Sequence, residues 1–400
     1  MDKGIQKATA AIVLNSLGGG VVPRVGLEYI TVGRRNEIGA LLQDVELIQA
    51  GGSAIRFIEG RYGSGKTFLL YVLKNHVLER NFVVSDVELS VDKRLVGNKG
   101  QGIVAYREML RNLATRGCPD QGALKPVLDK WISELENEVE QESGLIPGHE
   151  SFDIKVSQKV HRITSSLEEK VNGFDFAKVL SIYYKGHRMG DDKLQQKAFR
   201  WMCGEYRTKS EAKSDLGVNL IITDDNWYDF IKLWAEFVVK AGYAGLYICM
   251  DELASIYEIP SKVGRDYNYS KLLAIYNDVL QGKASHLGFL MGITKEAMED
   301  PVRGIYGYEP LRSRLENRKI AGGAAEELRD LAAPVIALSP LNPGEIYVLL
   351  EKLTQLHEIV YGYESKLEHD DFIYFLKNQY ARVRNTEEMT AVSYTHLRAH

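Results

Sequence analysis

Gly60, Arg61, Tyr62, Gly63, Ser64, Gly65, Lys66 and Thr67 read Gly-x4-Gly-Lys-Thr, a spacing suited to holding a phosphate chain. Glycines permit the backbone angles that turn successive N–H groups toward one anion. A helix opening at Lys66, Thr67 and Phe68 would add its N-terminal donors and dipole. Lys66 would reach the β- and γ-phosphates of a nucleotide such as ATP, and the Thr67 hydroxyl would be a ligand of Mg²⁺.

A second acid is needed to hold the metal's water shell. It is expected at the C-terminal end of a neighbouring parallel strand, where open α/β sheets bind ligands. Leu246-Tyr247-Ile248-Cys249-Met250-Asp251-Glu252 has that form. Asp251 would hold Mg²⁺ through water. Glu252 would polarise an attacking water, so the pair favours hydrolysis over binding alone. Thr294 follows another apolar run, 287–293; it would contact the water or γ-phosphate, or else serve as a helix N-cap. Beyond it lie Arg303 and the cluster Arg312, Arg314 and Arg318. An arginine at a protomer edge can stabilise charge on a neighbour's phosphate, and surface solvation is the plain alternative for each.

The elements around these residues follow from periodicity. A helical lead is expected over 5–17, an extended stretch over 21–26, and a helix with apolar residues at Ile38, Leu41, Leu42, Val45 and Ile48. Strands at 54–58 and 82–89, separated by a helix from Phe68, make a βαβ unit and imply a parallel sheet. Residues 91–220 read as mostly helical. Within them, 185–213 interleaves lysines and arginines with Phe199, Trp201 and Tyr206. That mixture suits either single-stranded nucleic acid or a core with a charged face, and Asp191, Asp192, Glu205 and Glu211 dilute its charge. Asp224 or Asp225 would cap the helix bearing Phe230, Leu233, Trp234 and Phe237. Further strands are expected at 246–250, 287–293 and 335–338, and a helix starts at Pro343.

The bulk numbers set limits. With 400 residues, 45% of them hydrophobic and 26% charged, the chain can bury a sizeable core. A net charge of −4 gives no global field toward nucleic acid or anionic membrane. The three cysteines, Cys118, Cys203 and Cys249, form no metal-binding or disulfide pattern. No signal-type segment or membrane-spanning run is evident, so a cytoplasmic protein without a membrane partner is expected. The string Ser-Tyr-Thr-His-Leu-Arg-Ala-His in the last ten residues resembles vector read-through, and 391–400 is expected to be a non-native tail.

The order of phosphate loop, Asp-Glu strand, Thr-tipped strand, arginine cluster and small helical region resembles the AAA+ superfamily, in the branch of origin-recognition and initiator ATPases. More closely, Gly20-Val21-Val22-Pro23-Arg24, Val32-Gly33-Arg34, Phe57-Ile58-Glu59-Gly60, 245–254, 268–282 and 300–315 resemble the BrxC/BrxD-type ATP-binding proteins of bacterial BREX phage-defence systems. The resemblance covers most of 15–355. It implies that residues 60–67 are the Walker A motif, Asp251 and Glu252 the Walker B pair, and Thr294 sensor 1. It also implies that Arg312 or Arg314 falls near the arginine finger and that Val32, Gly33 and Arg34 line the adenine pocket. Such lids carry a sensor 2 arginine; Arg382 or Arg384 can be offered, but neither sits in a clear motif.

The fold expected is α/β: a P-loop NTPase of AAA+-like type, its parallel sheet flanked by helices. An N-terminal lead would span 1–30 and the ATPase domain 31–340, with a largely helical insertion at about 91–240. A partial, truncated helical lid would span 341–390. The function expected is Mg²⁺-dependent ATP hydrolysis by a chain acting with itself, DNA or a helicase-like partner in phage defence. Alternatives are a nucleotide-gated switch or scaffold with slow turnover and, less supported, a small-molecule kinase.

Overall fold

The structure, a computed structural model, describes residues 5–316 and 330–382. The first elements are α1 (Lys7–Gly18), α2 (Leu27–Ile30), α3 (Arg35–Gln49), β1 (Ser53–Gly60), α4 (Lys66–Glu79) and β2 (Val83–Glu88). Seven helices follow before the next strand: α5 (Gln101–Arg111), α6 (Leu124–Ser143), α7 (Glu150–Glu168), α8 (Gly173–Met189), α9 (Asp192–Met202), α10 (Lys209–Leu216) and α11 (Trp227–Lys240). Then come β3 (Leu246–Asp251), α12 (Ala254–Tyr257), α13 (Lys262–Leu280), β4 (Leu287–Thr294), α14 (Lys295–Glu299), a 3-10 turn (Ile305–Gly307) and α15 (Glu309–Leu315). The last elements are β5 (Val335–Ala337), α16 (Pro343–Tyr361) and α17 (His369–Arg382). Among the described residues no helix is long and apolar enough to cross a membrane.

The five strands form one parallel sheet in the order β2-β3-β4-β1-β5. Central strands covered on both faces should be apolar throughout, and β4 is buried from Leu287 to Ile293. Alternate residues serve opposite faces. Ala54 and Ile58 of β1 meet Leu41, Val45 and Ile48 of α3 and Leu69, Leu73 and Val77 of α4. Ile55 and Phe57 face the larger core that runs on into the helices between β2 and β3. The spacing of Leu41, Val45 and Ile48 thus does what its helical period requires.

The helices between β2 and β3 are organised by aromatics. Phe176 stands edge-on to Trp234 at 5.1 Å, Trp131 edge-on to Phe237 at 5.1 Å, and Trp201 edge-on to Phe230 at 5.4 Å, the geometry ring quadrupoles favour. Of the basic and aromatic stretch 185–213, Trp201 and Tyr206 are buried and Phe199 packs against the same core. Lys197 pairs with Asp215 and Arg200 with Glu211. These rings are core, and do not form an open stacking surface. The cap expected at Asp224 or Asp225 is displaced: Asn226 is the N-cap of α11. Asp224 instead accepts from the backbone N–H groups of Gly97 and Ile103 at 3.1 and 2.8 Å. The reason is long-range: orphan donors at the start of α5 are as much in need of an acceptor as those of α11.

Two contacts carry the sheet's surroundings into one body. α1 packs on α16 through Ala10, Val13, Leu349 and Leu356, with Phe68 of α4 against the same cluster. The segments 1–30 and 341–390, read from sequence as separate, therefore share a core over their described parts. Asn268 of α13 is 2% exposed and uses its whole amide. Its Oδ1 accepts from Leu95 and Val96 N–H at 3.1 Å each, and its Nδ2 donates to Val96 and Gly264 carbonyls at 3.1 and 2.9 Å. Replacing it by alanine strands two donors and a carbonyl, so Asn268→Ala is expected to lower unfolding free energy by about 2–4 kcal/mol in urea titration. Asn268→Asp should also lose stability, because a carboxylate cannot donate to Val96 or Gly264.

Candidate functional site

β1 ends at Gly60 and α4 begins at Lys66, so the loop between them spans a strand's end and a helix's start. Gly63 and Gly65 have φ of +74° and +92°, the left-handed region that side chains resist. Lys66 is only 8% exposed, and its Nζ donates to the Gly60 and Arg61 carbonyls at 3.1 and 3.0 Å. Desolvation lowers its pKa, opposed by the negative charges of Asp251 and Glu252. Tyr62, at the tip, is 84% exposed.

Strand order brings the acids to this loop. β4 lies between β1 and β3, and register pairs Gly60 with Thr294 and Glu88 with Asp251. The Thr67 hydroxyl donates to Asp251 Oδ2 at 2.5 Å. Gly292 of β4 leaves the space this requires: a Cβ there would collide with the Asp251 carboxylate. Past the strand the chain kinks. Glu252 has φ +56°, its N–H donates to Asp251 Oδ1 at 2.9 Å, and the Leu253 N–H donates back to the Gly292 carbonyl at 3.0 Å. The Glu252 carboxyl accepts no hydrogen bond among the described residues. Its pKa is raised by desolvation and then by Asp251.

A hydroxyl and a carboxylate side by side at a helix start suit a hard divalent cation, whose remaining ligands would be phosphate oxygens and waters. Among the described residues no group of three or more His, Cys, Asp or Glu converges into a self-sufficient metal site. Thr294 stands at the tip of β4 and caps α14, its Oγ1 accepting from Ala297 N–H at 3.3 Å.

Val32 and Gly33 line a pocket of about 410 Å³ with Thr31, Asn342, Gly344, Glu345, Val348 and Lys352. The pocket lies between the segment before α3 and the start of α16, where Asn342 and Glu345 form a reciprocal capping box. Lys352 Nζ reaches across to the Thr31 carbonyl at 2.9 Å. Arg34 is absent from that lining. It is 6% exposed, and its Nη2 donates to the Ser64 carbonyl at 3.2 Å and the Ser339 carbonyl at 3.0 Å.

The arginines lie apart from these contacts. Arg303 donates to the Tyr257 carbonyl at 3.0 Å and lies over the Tyr257 ring. Arg312 pairs with Glu309 on its own helix, α15, and with Glu316 just past that helix's end. Arg314 donates to Asn277 Oδ1 of α13 at 3.0 Å and to the Pro310 carbonyl at 2.6 Å. Arg318, Arg384, residues 391–400 and the side chain of Arg382 lie outside the described residues.

One residue of this region belongs to no motif legible in the sequence. Glu59, next to last in β1, is 7% exposed. Burial and the nearby Glu299 carboxylate push its pKa up to about 7, against the smaller pull of Lys295. A lone acid in an apolar strand was the available signal. Because the folded pKa lies above the ordinary 4.5, the native state holds the extra proton between those values. Stability therefore falls as pH rises through that window. Glu59→Gln should match the parent near pH 4.5 and be more stable by about 1–2 kcal/mol at pH 8, read by thermal unfolding at both pH values. Equal differences at both would contradict the assignment.

No curated protein matches the chain. A family model does: that of the BREX system ATP-binding protein BrxC/D, matched over residues 5–396. That span includes the phosphate-loop sequence, the Asp-Glu strand and the pocket beside α16. The chain belongs to the BREX system ATP-binding protein BrxC/D family.

Proposed function

We propose that the chain is a Mg²⁺-dependent ATPase of AAA+ type whose turnover serves phage defence. The observation that carries this reading is the strand order. With β4 between β1 and β3, the loop at 60–67 and the Asp251-Glu252 tip share one edge of the sheet, with Thr67 bonded to Asp251. In this reading the backbone N–H groups of 61–67 and the Lys66 ammonium hold the phosphates. Thr67 and, through water, Asp251 would hold Mg²⁺, which offsets phosphate charge. Glu252, whose carboxyl has no competing hydrogen bond among the described residues, orients and deprotonates the attacking water. Thr294 lies at the tip of the strand between loop and acid, where a hydroxyl can sense the γ-phosphate. Val32 and Gly33 belong to the base pocket with Arg34 behind them.

The domain reading follows: an ATPase domain over 31–340 with a helical insertion at about 91–240, then a partial lid over 341–390. Arg312 and Arg314 are exposed, and their described partners lie on α13, on α15 and at Glu316 just past α15. That disposition suits action on a neighbouring protomer's nucleotide, in a self-assembly or with a helicase-like partner. DNA as the object of the cycle rests on the resemblance alone, since the rings at 199–206 are in the core.

The test is ATP turnover and binding by the parent, Lys66→Ala and Glu252→Gln, each with and without DNA. Lys66→Ala should lose ATP binding. Glu252→Gln should keep binding while turnover falls by about 10²-fold or more. Turnover indifferent to Glu252→Gln, with tight binding retained, would favour a nucleotide-gated switch and end the hydrolytic reading.

A further inference from the structure

Turning backbone N–H groups inward toward an anion forces neighbouring carbonyls outward, and an outward carbonyl in a buried setting needs a donor. At Ser64, in the middle of the loop, that donor is Arg34. The same Nη2 also reaches the Ser339 carbonyl, just before the turn into α16, and Nη1 lies 3.5 Å from Glu37 Oε1. Glu37 is itself 3% exposed, so the guanidinium is held by charge as well as by carbonyls. Three pieces of chain far apart in sequence thus meet at one buried cation. A planar fork with five donors can serve carbonyls of two segments at once, which a lysine ammonium on a flexible stem does less well.

We infer that Arg34 is a positioning residue for the phosphate loop. It fixes the outward carbonyl of Ser64 and ties the loop to the Ser339 segment that leads into α16. This differs from lining the base pocket, because Val32 and Gly33 face that space and Arg34 bonds the loop's outer side. A shift of α16 would be felt at Ser64 through Arg34. Thr31, three residues earlier, is likewise held from α16 by Lys352. The inference rests on the nucleotide-binding reading.

The experiment compares the parent with Arg34→Gln, Arg34→Lys and Glu37→Gln in the full chain. Affinities for ATP, ADP and adenosine are measured by competition against a fluorescent ATP analogue, below each variant's unfolding transition. A loop-positioning residue should weaken ATP and ADP about tenfold or more on Arg34→Gln and leave adenosine within about twofold. Arg34→Lys should recover part of the loss, and Glu37→Gln should give a smaller loss of the same pattern. If Arg34→Gln does not fold, the ratio of ATP to adenosine affinity in the other two variants decides. Equal losses for all three ligands would assign Arg34 to the base pocket and overturn the inference. So would a lowered Tm with unchanged affinities, the mark of a purely structural residue. Failure of the parent to bind any nucleotide would instead reject the nucleotide reading itself, and this inference with it.

Discussion

A desolvated ammonium is tolerable only among oxygens, and the chemistry of this edge of the sheet is arranged around that constraint. Lys66 lies under the loop with the Gly60 and Arg61 carbonyls as its partners, and with Asp251 and Glu252 supplying the nearby negative charge. The two carbonyls are neutral acceptors. Phosphate oxygens carry charge and form the stronger bonds. In the proposed cycle, Lys66 would exchange one oxygen set for the other without ever being left bare. The acids then have two tasks: both balance Lys66 in this structure, and when phosphates arrive Asp251 would turn to the cation and Glu252 to the attacking water.

The parts of the fold that depend on local pattern were legible. The βαβ unit around the loop, the buried strands of β3 and β4, and the apolar stripe of α3 each announce themselves within a window of ten or so residues. Sheet flanked by helices followed directly. The order of strands did not follow from local pattern, because it is decided by which crossovers pack. Only that order makes residues 60, 251 and 294 neighbours. The short α2 has no legible signal in the sequence: four residues between glycine-rich text give no period to count.

The residues least legible were those whose work is done at long range. Arg34 bonds Ser64 and Ser339, Asp224 bonds Gly97 and Ile103, and Asn268 bonds the chain at Leu95 and Val96. In each case a polar side chain satisfies backbone groups of a distant segment, and no spacing rule connects the two. Glu59 shows the converse problem. Its sequence context was plain, but its raised pKa depends on Glu299 and on burial by elements more than 200 residues away. The aromatic and basic stretch at 185–213 was ambiguous for a simple reason: composition cannot say on which side of a helix a ring will lie.

The packing of α1 on α16 carries a further consequence, for the order in which the protein can be made. Residues 7–18 leave the ribosome long before 343–361, and although Ile30 and Phe68 come early, the part of the cover that Leu349 and Leu356 supply does not exist until then. Synthesis at roughly 5–20 residues per second leaves that apolar stripe waiting tens of seconds. The sheet between them can close first, since its strands and the helices nested in it lie between the two ends. The last helices would then act as a clasp on a body already formed.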